Sequence, residues 1–362
     1  MSSKCLKLDR LPNLDPLRFL LASLVMLFHI PQLCRNQGLP YSIDAPIFNR
    51  GTEAVYMFFV LSGFLIIRLI YRQKQRDAFS IRKFYMRRIL RIFPLYYLIV
   101  IFGFLFYWLI LPALHIPYEN NYNLGEGIVL TTFFLPNIFG KLYQPGGILE
   151  ILWSIGIEEQ FYLMIAPMLF FIRKSKILPV LSLLTLGYFI LFHLHVLDLL
   201  RTYKFVYFLL FAGGIIAILE EQQHLEFLKR SPVIPIVIVA SVILYFTTDL
   251  FRFSQVWITN AITMLLFSIF IHTLAHNNWG KRINNKLLSH LGHISYGIYM
   301  FHVIALNFVV FVMLKVQQFE IFSDDITLLL IYILTFALTI LMAHLSYKYF
   351  ETFFLKLKTK FR

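Results

Sequence analysis

Two ionisable side chains in the first apolar stretch of the chain could do chemistry. Arg18 and His29 are eleven residues apart in the segment LDPLRFLLASLVMLFHI. At 100° per residue both side chains lie within about 20° of one helix face, roughly 16 Å apart along the axis. An ionisable group inside a membrane helix is costly and predicts a functional site. The alternative is a histidine hydrogen-bonded between helices and an arginine that snorkels to the surface.

A second group belongs to the basic stretch IRKFYMRRILRIFPLYYL, which leads into another long apolar run. Arg88 and Arg91 are spaced i, i+3 and project from one face of a helix, with Arg87 next to them. The planar guanidinium group binds phosphate oxygens in pairs, so the cluster predicts phosphate recognition. The alternative is that these residues orient the helix and contact anionic lipid headgroups, as most juxtamembrane basic runs do.

Acidic and hydroxyl side chains form a polar stripe in the apolar segment LWSIGIEEQFYL. Ser154, Glu158 and Tyr162 recur at i, i+4 spacing and therefore share one helix face. Glu159 adds a second carboxylate, and Trp153 stands near the beginning of the segment. A buried carboxylate stays neutral or finds a cationic partner. The two acids therefore predict a functional or architectural role and not a surface position.

Two further motifs give weaker signals. In FFVLSGF, Ser62 and Gly63 are small enough to let two helices approach closely, which predicts packing first and a site second. In SYGIYMFH, Ser295, Tyr299 and His302 recur at turn spacing on one face. The sequence contains no Walker loop, GxSxG elbow or HExxH motif, and no metal site is predicted.

These side chains must be positioned by a chain that is 59% hydrophobic and only 14% charged, with a mean hydropathy of +0.72. Soluble domains carry about 25% charged residues, so the composition excludes a soluble globular protein and a disordered chain. Two cysteines are too few for a disulfide framework. The sequence predicts an all-α polytopic membrane bundle that forms one integral-membrane domain over residues 1–362, without an appended soluble domain.

A membrane span needs about 20 mainly apolar residues, and ten segments satisfy this requirement. They cover residues 14–34, 51–71, 89–111, 151–172, 177–197, 203–219, 232–248, 255–275, 291–313 and 327–350. With both termini in the cytoplasm, about three quarters of the 33 Lys and Arg residues fall on the cytoplasmic side, in agreement with the positive-inside rule. A shorter apolar piece, residues 125–139, is predicted to be re-entrant or interfacial.

Taken together, the motifs resemble the acyltransferase type 3 family of multi-spanning membrane proteins. The segments that carry the resemblance, in order along the chain, are LDPLRF…FH, GTEAVYMFFVLSGFLI, RRILRIFPLYYL, LWSIGIEEQFYL, ISYGIYMFH and SYKYFE. The Arg-x10-His element of the family falls on Arg18 and His29, and its Arg-x-x-Arg element on Arg88 and Arg91. Its Trp-Ser…Glu-Glu-Gln-Phe-Tyr element begins at Trp153. The chain departs from the family pattern at three positions. Tyr56 stands where the family usually has an acidic residue, Gly156 stands where it usually has a serine, and Glu351 lacks the proline that often follows it.

The resemblance implies an O-acyltransferase that takes acyl-CoA, most often acetyl-CoA, as its co-substrate and has no permanently bound cofactor. The implied acceptor is a hydroxyl group of a surface polysaccharide or lipid-linked glycan, and the implied location is the bacterial cytoplasmic membrane. We expect His29 to act as general base, since imidazole titrates near neutrality, with a transient acyl-histidine as the variant. Arg88 and Arg91, with Arg87, would contact the phosphates of coenzyme A. The remaining expected site residues are Arg18, Glu158 and Glu159 in catalytic roles and, in substrate-binding or supporting roles, Ser62, Trp153, Ser154, Tyr162, Ser295, Tyr299 and His302.

Two other function classes fit some of the same features. A transporter or flippase for a lipid-linked sugar would also place Arg, Glu and His inside the membrane, but the sequence shows no inverted repeat. A structural or regulatory membrane subunit would use such groups only to hold helices together. Consumption of radiolabelled acetyl-CoA separates the three classes, because only a transferase consumes the thioester.

Overall fold

The computed structural model is helical throughout the residues that it describes, which are 11, 13–194, 197–276, 285–319 and 322–361. These residues include no strand, so the predicted all-α class is confirmed for them. The helices of eight residues or more are α1 (Leu14–Asn36), α2 (Gly51–Gln75), α3 (Ile81–Leu105), α4 (Leu124–Thr132), α5 (Pro136–Tyr143), α6 (Trp153–Phe171), α7 (Ile177–His193), α8 (Tyr207–Glu221), α9 (Val233–Thr247), α10 (Val256–His276), α11 (Lys286–His293), α12 (Ser295–Val316) and α13 (Asp324–Ser346).

Within the described residues, seven helices are long and apolar enough to cross a membrane. They are α1, α2, α3, α7, α10, α12 and α13. Three of these spans are longer than the α-helix alone. α3 and α13 continue through a π-helical turn, as far as Ala113 and Phe361, and a 3₁₀ turn that begins at Lys174 precedes α7. The chain therefore has the character of a multi-pass membrane protein.

Helices also occupy the other three segments predicted to span, but these helices do not meet the length and hydropathy of a span. α8 and α9 contain 15 residues each. They rise only about 22 Å, whereas the hydrocarbon core is about 30 Å thick. α6 has 19 residues, and Glu158 and Glu159 lower its hydropathy. The count of ten spans is therefore not confirmed, and the cytoplasmic location of both termini stays a prediction. Positions 195 and 196 of the predicted fifth span lie outside the described residues.

The segment between α3 and α6 contains two short helices in place of a span. α4 has nine residues and α5 has eight. The chain turns between them at Phe134, whose φ of 58° lies in the left-handed region. Neither helix can cross a hydrocarbon core of about 30 Å. The expectation that residues 125–139 form no continuous span is confirmed.

α2 and α8 pack closely along their length because glycines face each other at the contact. A Cβ on Gly63 would lie 1.9 Å from the carbonyl oxygen of Leu210, and a Cβ on Gly213 would lie 2.0 Å from that of Val60. Backbones can approach this closely only where side chains are absent. The packing role predicted for Gly63 is therefore confirmed, and this contact holds α2 in the centre of the bundle.

α1 packs against α11 and α12, which brings the first motif of the chain onto the last ones. A Cβ on Gly292, at the end of α11, would lie 2.2 Å from the carbonyl oxygen of Asp15. This contact sets the start of α1 against the junction of α11 and α12. His29 of α1 and His302 of α12 consequently face each other inside the protein.

Candidate active site

Two cavities of different chemical character lie between these helices. The larger has a volume of about 660 Å³ and includes His29 in its wall; we name it the histidine cavity. The smaller has a volume of about 130 Å³ and is lined by Arg18, Arg88 and Arg91; we name it the arginine cavity. His29 and the three arginines therefore line internal cavities and do not face lipid.

The two cavities share a wall. Val55 of α2 and Tyr299 of α12 line both of them. These two side chains therefore stand between the arginine cluster and His29.

The hydrogen bonds of His29 and His302 determine which ring nitrogens carry protons. Nδ1 of His302 lies 2.5 Å from the carbonyl oxygen of Tyr299, which can only accept, so this nitrogen is the donor and Nε2 keeps its lone pair. Nδ1 of His29 lies 2.9 Å from the carbonyl oxygen of Val25 and 3.2 Å from Nε2 of His302, both acceptors. The Nδ1–H of His29 is therefore shared between them. With this assignment, Nε2 of His29 is unprotonated and can accept a proton.

Tyr299 and Ser154 are joined next to the shared wall. The hydroxyl group of Tyr299 donates to the carbonyl oxygen of Ile151 at 3.0 Å. Since its proton is engaged there, Ser154 Oγ is the donor in the 2.7 Å hydrogen bond to the Tyr299 oxygen. The structure thus joins two residues that were predicted in separate motifs, and the two hydrogen bonds hold the start of α6 and the turn before it against α12.

The arginine cavity concentrates positive charge from two helices. Arg18 comes from α1, whereas Arg88 and Arg91 come from α3. Nη1 of Arg18 lies 2.6 Å from Oδ1 of Asp15, and Cζ of Arg88 lies 4.9 Å from the ring centroid of Tyr162. Like charges in one small cavity repel one another, and a bound anion relieves this repulsion. The geometry suits a phosphorylated ligand.

A chain of hydrogen bonds links α2 to the polar stripe of α6. Oη of Tyr162 donates to Oε2 of Glu158 at 2.6 Å, so Ser62 Oγ donates to Oη across the 2.5 Å that separates them. Glu158 lines the arginine cavity and brings a carboxylate to its guanidinium groups. Glu159 is buried away from that cavity, and its Oε1 has no hydrogen-bond partner among the described residues. The two adjacent acids therefore occupy different environments.

Two of the predicted site residues take less direct positions. Arg87 lies on α3 but lines neither cavity, as far as the described residues show. Ser295 lines the arginine cavity, but its hydroxyl donates to the carbonyl oxygen of Gly292 at 2.9 Å. This hydrogen bond fixes the junction of α11 and α12.

Lys204 is a candidate that the sequence analysis missed. It projects from the turn before α8 into the histidine cavity, where its Nζ lies 4.5 Å from the ring centroid of Trp153. Its φ of 56° is left-handed, which is uncommon for a residue with a side chain. Burial lowers the pKa of the Lys204 ammonium group, and the nearby carboxylate of Glu150 opposes that shift. In the sequence Lys204 stands at the start of the predicted span 203–219, and no motif marks it.

Gln160 belongs to the family element Glu-Glu-Gln-Phe-Tyr, but the sequence assigns it no role in the site; in the structure it connects three parts of the fold. Its Nε2 donates to the carbonyl oxygen of Phe134 at 2.6 Å and to Oδ1 of Asn137 at 2.9 Å. Its Oε1 accepts from the hydroxyl group of Tyr207 at 2.5 Å. Asn137, which lines the histidine cavity, also donates to the carbonyl oxygen of Tyr203 at 2.9 Å. An amide beside two acids in an apolar helix was the available signal.

Comparison with known proteins places this geometry in a family. A family model described as an acyltransferase domain matches residues 11–347. An uncharacterized protein of Haemophilus influenzae is 30% identical over 249 residues, which cover 61% of this chain and 98% of that protein. The O-acetyltransferase OatA of Staphylococcus aureus (strain NCTC 8325) is 25% identical over 372 residues, 94% of this chain and 57% of OatA. SACOL0978 of strain COL, whose name assigns O-acetyltransferase activity provisionally, is 24% identical over 396 residues, 98% of this chain and 59% of that protein.

The chain spans slightly more than half the length of these two staphylococcal relatives. No solved structure matches. The family model nevertheless covers nearly the whole chain, including all the motifs that line the two cavities. The chain belongs to the acyltransferase type 3 family.

Proposed function

We propose that the protein transfers an acyl group, in the simplest case acetyl, from acyl-CoA to a hydroxyl group of a surface polysaccharide or lipid-linked glycan. The observation that supports this reaction best is the pairing of His29 with His302. It leaves Nε2 of His29 unprotonated beside a cavity of about 660 Å³. The bacterial relatives named for O-acetyl transfer support the reaction class. The proposed location is the bacterial cytoplasmic membrane, which is supported by the helices long and apolar enough to span a membrane.

The arginine cavity is the proposed entrance for the donor. Coenzyme A carries phosphate groups that cannot enter hydrocarbon, so they would stay at the guanidinium groups of Arg18, Arg88 and Arg91. A cavity of about 130 Å³ is too small to hold the nucleotide, which would stay at its mouth. Glu158 would balance part of the positive charge when no donor is bound.

The histidine cavity is the proposed acceptor site. Its wall offers amide, phenol and indole groups of the kind that bind sugar hydroxyls and ring faces. The polar and aromatic lining includes Gln32, Asn36, Tyr107, Tyr118, Asn137, Gln144, Trp153 and Asn307. Lys204 would hold the acceptor or the developing negative charge near Trp153.

The proposed chemical step uses His29 as general base. Nε2 takes the proton of the acceptor hydroxyl while the hydroxyl oxygen forms a bond to the carbonyl carbon of the thioester. The carbon–sulfur bond then breaks, and the thiolate of coenzyme A takes a proton from the imidazolium of His29. The products are an ester and free coenzyme A, and the enzyme returns to its starting protonation state.

The test is thioester consumption by purified protein in lipid nanodiscs, with acetyl-CoA and an oligosaccharide acceptor. We expect His29→Gln to reduce the release of coenzyme A at least 100-fold, in line with the loss of a general base. His193→Ala is the matched control, because its Nδ1 also contacts a backbone carbonyl one turn earlier, that of Phe189, at 2.7 Å. His193 pairs with Asn260 and lines neither cavity among the described residues.

Two results would overturn the proposal. Full activity of a well-folded His29→Gln variant would remove His29 from the chemistry. Movement of a lipid-linked sugar across the nanodisc or vesicle membrane without any release of coenzyme A would replace the transferase with a transporter.

A further inference from the structure

Away from both cavities, α8 and α10 bring three potential metal ligands together. His272 and His276 are spaced i, i+4 in the segment HTLAH and share one face of α10. Glu220 reaches them from the last turn of α8. One donor atom from each of the three residues lies within 4.8 Å of the other two.

The polar atoms of this cluster converge without satisfying one another. Oε2 of Glu220, Nδ1 of His272 and Nε2 of His276 are buried and have no partner of hydrogen-bond geometry in the described structure. Nδ1 of His272 nevertheless lies only 3.4 Å from Oε2 of Glu220, and Nε2 of His276 contacts Oε1. Buried polar atoms nearly always have partners, so three such atoms on side chains that meet in one cluster indicate a shared ligand.

We propose that Glu220, His272 and His276 bind a divalent transition-metal ion, with Zn²⁺ as the first choice. Two imidazole nitrogens and one carboxylate oxygen are an ordinary donor set for zinc, and a water molecule would complete the tetrahedron. A pair of histidines one helical turn apart can direct both rings to the same ion. The ion would supply the partner that each of the three buried atoms lacks.

The neighbouring arginines leave Glu220 available. Nε of Arg68 and Nε of Arg72 donate to Glu221 at 2.6 and 2.7 Å. Nη2 of Arg68 stays 3.8 Å from Oε1 of Glu220, which is beyond hydrogen-bond distance. The guanidinium charge still opposes a second cation at this range, so it weakens the affinity of the site for an ion.

The ion would act as a structural link between helices. It would tie α8 to α10, while the Arg68–Glu221 pair ties α8 to α2. The side chain of His276 is 16% exposed, whereas those of His272 and Glu220 are 1% and 6% exposed, so an ion would enter past His276. A ligand that binds only the folded chain raises its stability by mass action.

The test measures zinc directly in the full chain, purified with a tag that contains no histidine. After treatment with EDTA and dialysis against buffered Zn²⁺, we expect one zinc per chain by mass spectrometry and a rise of several degrees in Tm. His276→Ala and Glu220→Gln should each lose at least nine tenths of the bound zinc and of the Tm shift. His193→Ala, which removes a half-buried histidine that pairs with Asn260, should keep both.

The wild-type protein decides the outcome even if a variant fails to fold. No bound zinc above the level of a membrane protein without this cluster, and no Tm shift with Zn²⁺, Mn²⁺ or Fe²⁺, would overturn the proposal. So would zinc that remains in the doubly substituted His272→Ala, His276→Ala protein. Acyl transfer is not used as a readout, so failure of the proposed enzymatic function leaves this test unaffected.

Discussion

Replacement of His302 by alanine tests the protonation scheme on which the proposed chemistry depends. When His29 accepts a proton, its Nδ1–H becomes the donor of a charged imidazolium and is shared between Val25 and His302. A hydrogen bond from a charged donor contributes about 1.5–3 kcal/mol. The 3.2 Å separation is at the long end, and the carbonyl oxygen of Val25 remains at 2.9 Å, so the lower value applies. About 1.5 kcal/mol corresponds to a roughly 10-fold decrease in kcat.

The assay is the initial rate of coenzyme A release at varied acyl-CoA and acceptor concentrations. His302 lines neither cavity within the described residues, so KM for both substrates should stay within a factor of two while kcat falls. His302→Gln should recover most of the rate, because its amide oxygen can reach the position of Nε2 and accept from His29. A purely structural role would lower the Tm and the rate of both variants together.

Two observations would refute the reasoning. Unchanged kcat in a folded His302→Ala protein would mean that His302 does not share the proton of His29. Equal loss in His302→Ala and His302→Gln, with unchanged Tm, would mean that an acceptor at this position is not what the reaction needs.

Three other predictions concern the arginine cavity and the helix packing. Arg88→Met should raise KM for acyl-CoA about 10-fold or more, because a charge-assisted phosphate contact is lost. Arg173, which is exposed in a loop, is the control; equal KM values in Arg88→Met and Arg173→Met would contradict the donor site. Tyr162→Phe should keep the ring under Arg88 but remove the hydroxyl group that donates to Glu158, so the free energy of unfolding should fall by about 1 kcal/mol and kcat/KM should decrease. Unchanged thermal stability and an unchanged rate would argue against the hydrogen-bond chain. Gly63→Ala should destabilise the protein by about 1–3 kcal/mol, because the new Cβ would meet the backbone of α8. If the variant kept the wild-type Tm in detergent, the close approach of the α2 and α8 backbones would be contradicted.

The positions of residues within one helix could be predicted from the sequence because helical periodicity is strict. The spacing of Arg88 and Arg91 indicated one face, and the structure places both in the arginine cavity with Arg18. The i, i+4 stripe of Glu158 and Tyr162 is likewise present as a hydrogen bond. The family resemblance added that α1 and α3 contribute to one site, which periodicity alone does not show.

Contacts between distant helices could not be derived in the same way. His29 and His302 are separated by 273 positions, and only tertiary packing makes one the partner of the other. Glu220 joins His272 and His276 for the same reason, and a search for local metal-binding motifs does not find such a set. Lys204 depends on a left-handed turn whose conformation no residue pattern indicates.

The number of spans was harder to predict than the fold class, because hydropathy depends on composition and does not show whether an apolar helix faces lipid or other helices. α8 is apolar but has 15 residues, and much of it is buried against α2 instead of facing lipid. An apolar segment covered by protein and one that contacts acyl chains have the same composition. Length is the criterion that separates them, and the sequence alone gives it only to within a few residues.

The wall that Val55 and Tyr299 form between the two cavities has a consequence for the energetics of a cell membrane. An enzyme that transfers a group from a donor on one side of a membrane to an acceptor on the other side must not let protons leak through the membrane. If the proposed donor and acceptor enter from opposite membrane faces, Val55 and Tyr299 would form the barrier between the two aqueous spaces. These two side chains would then have to let the acyl group pass while still preventing proton leakage.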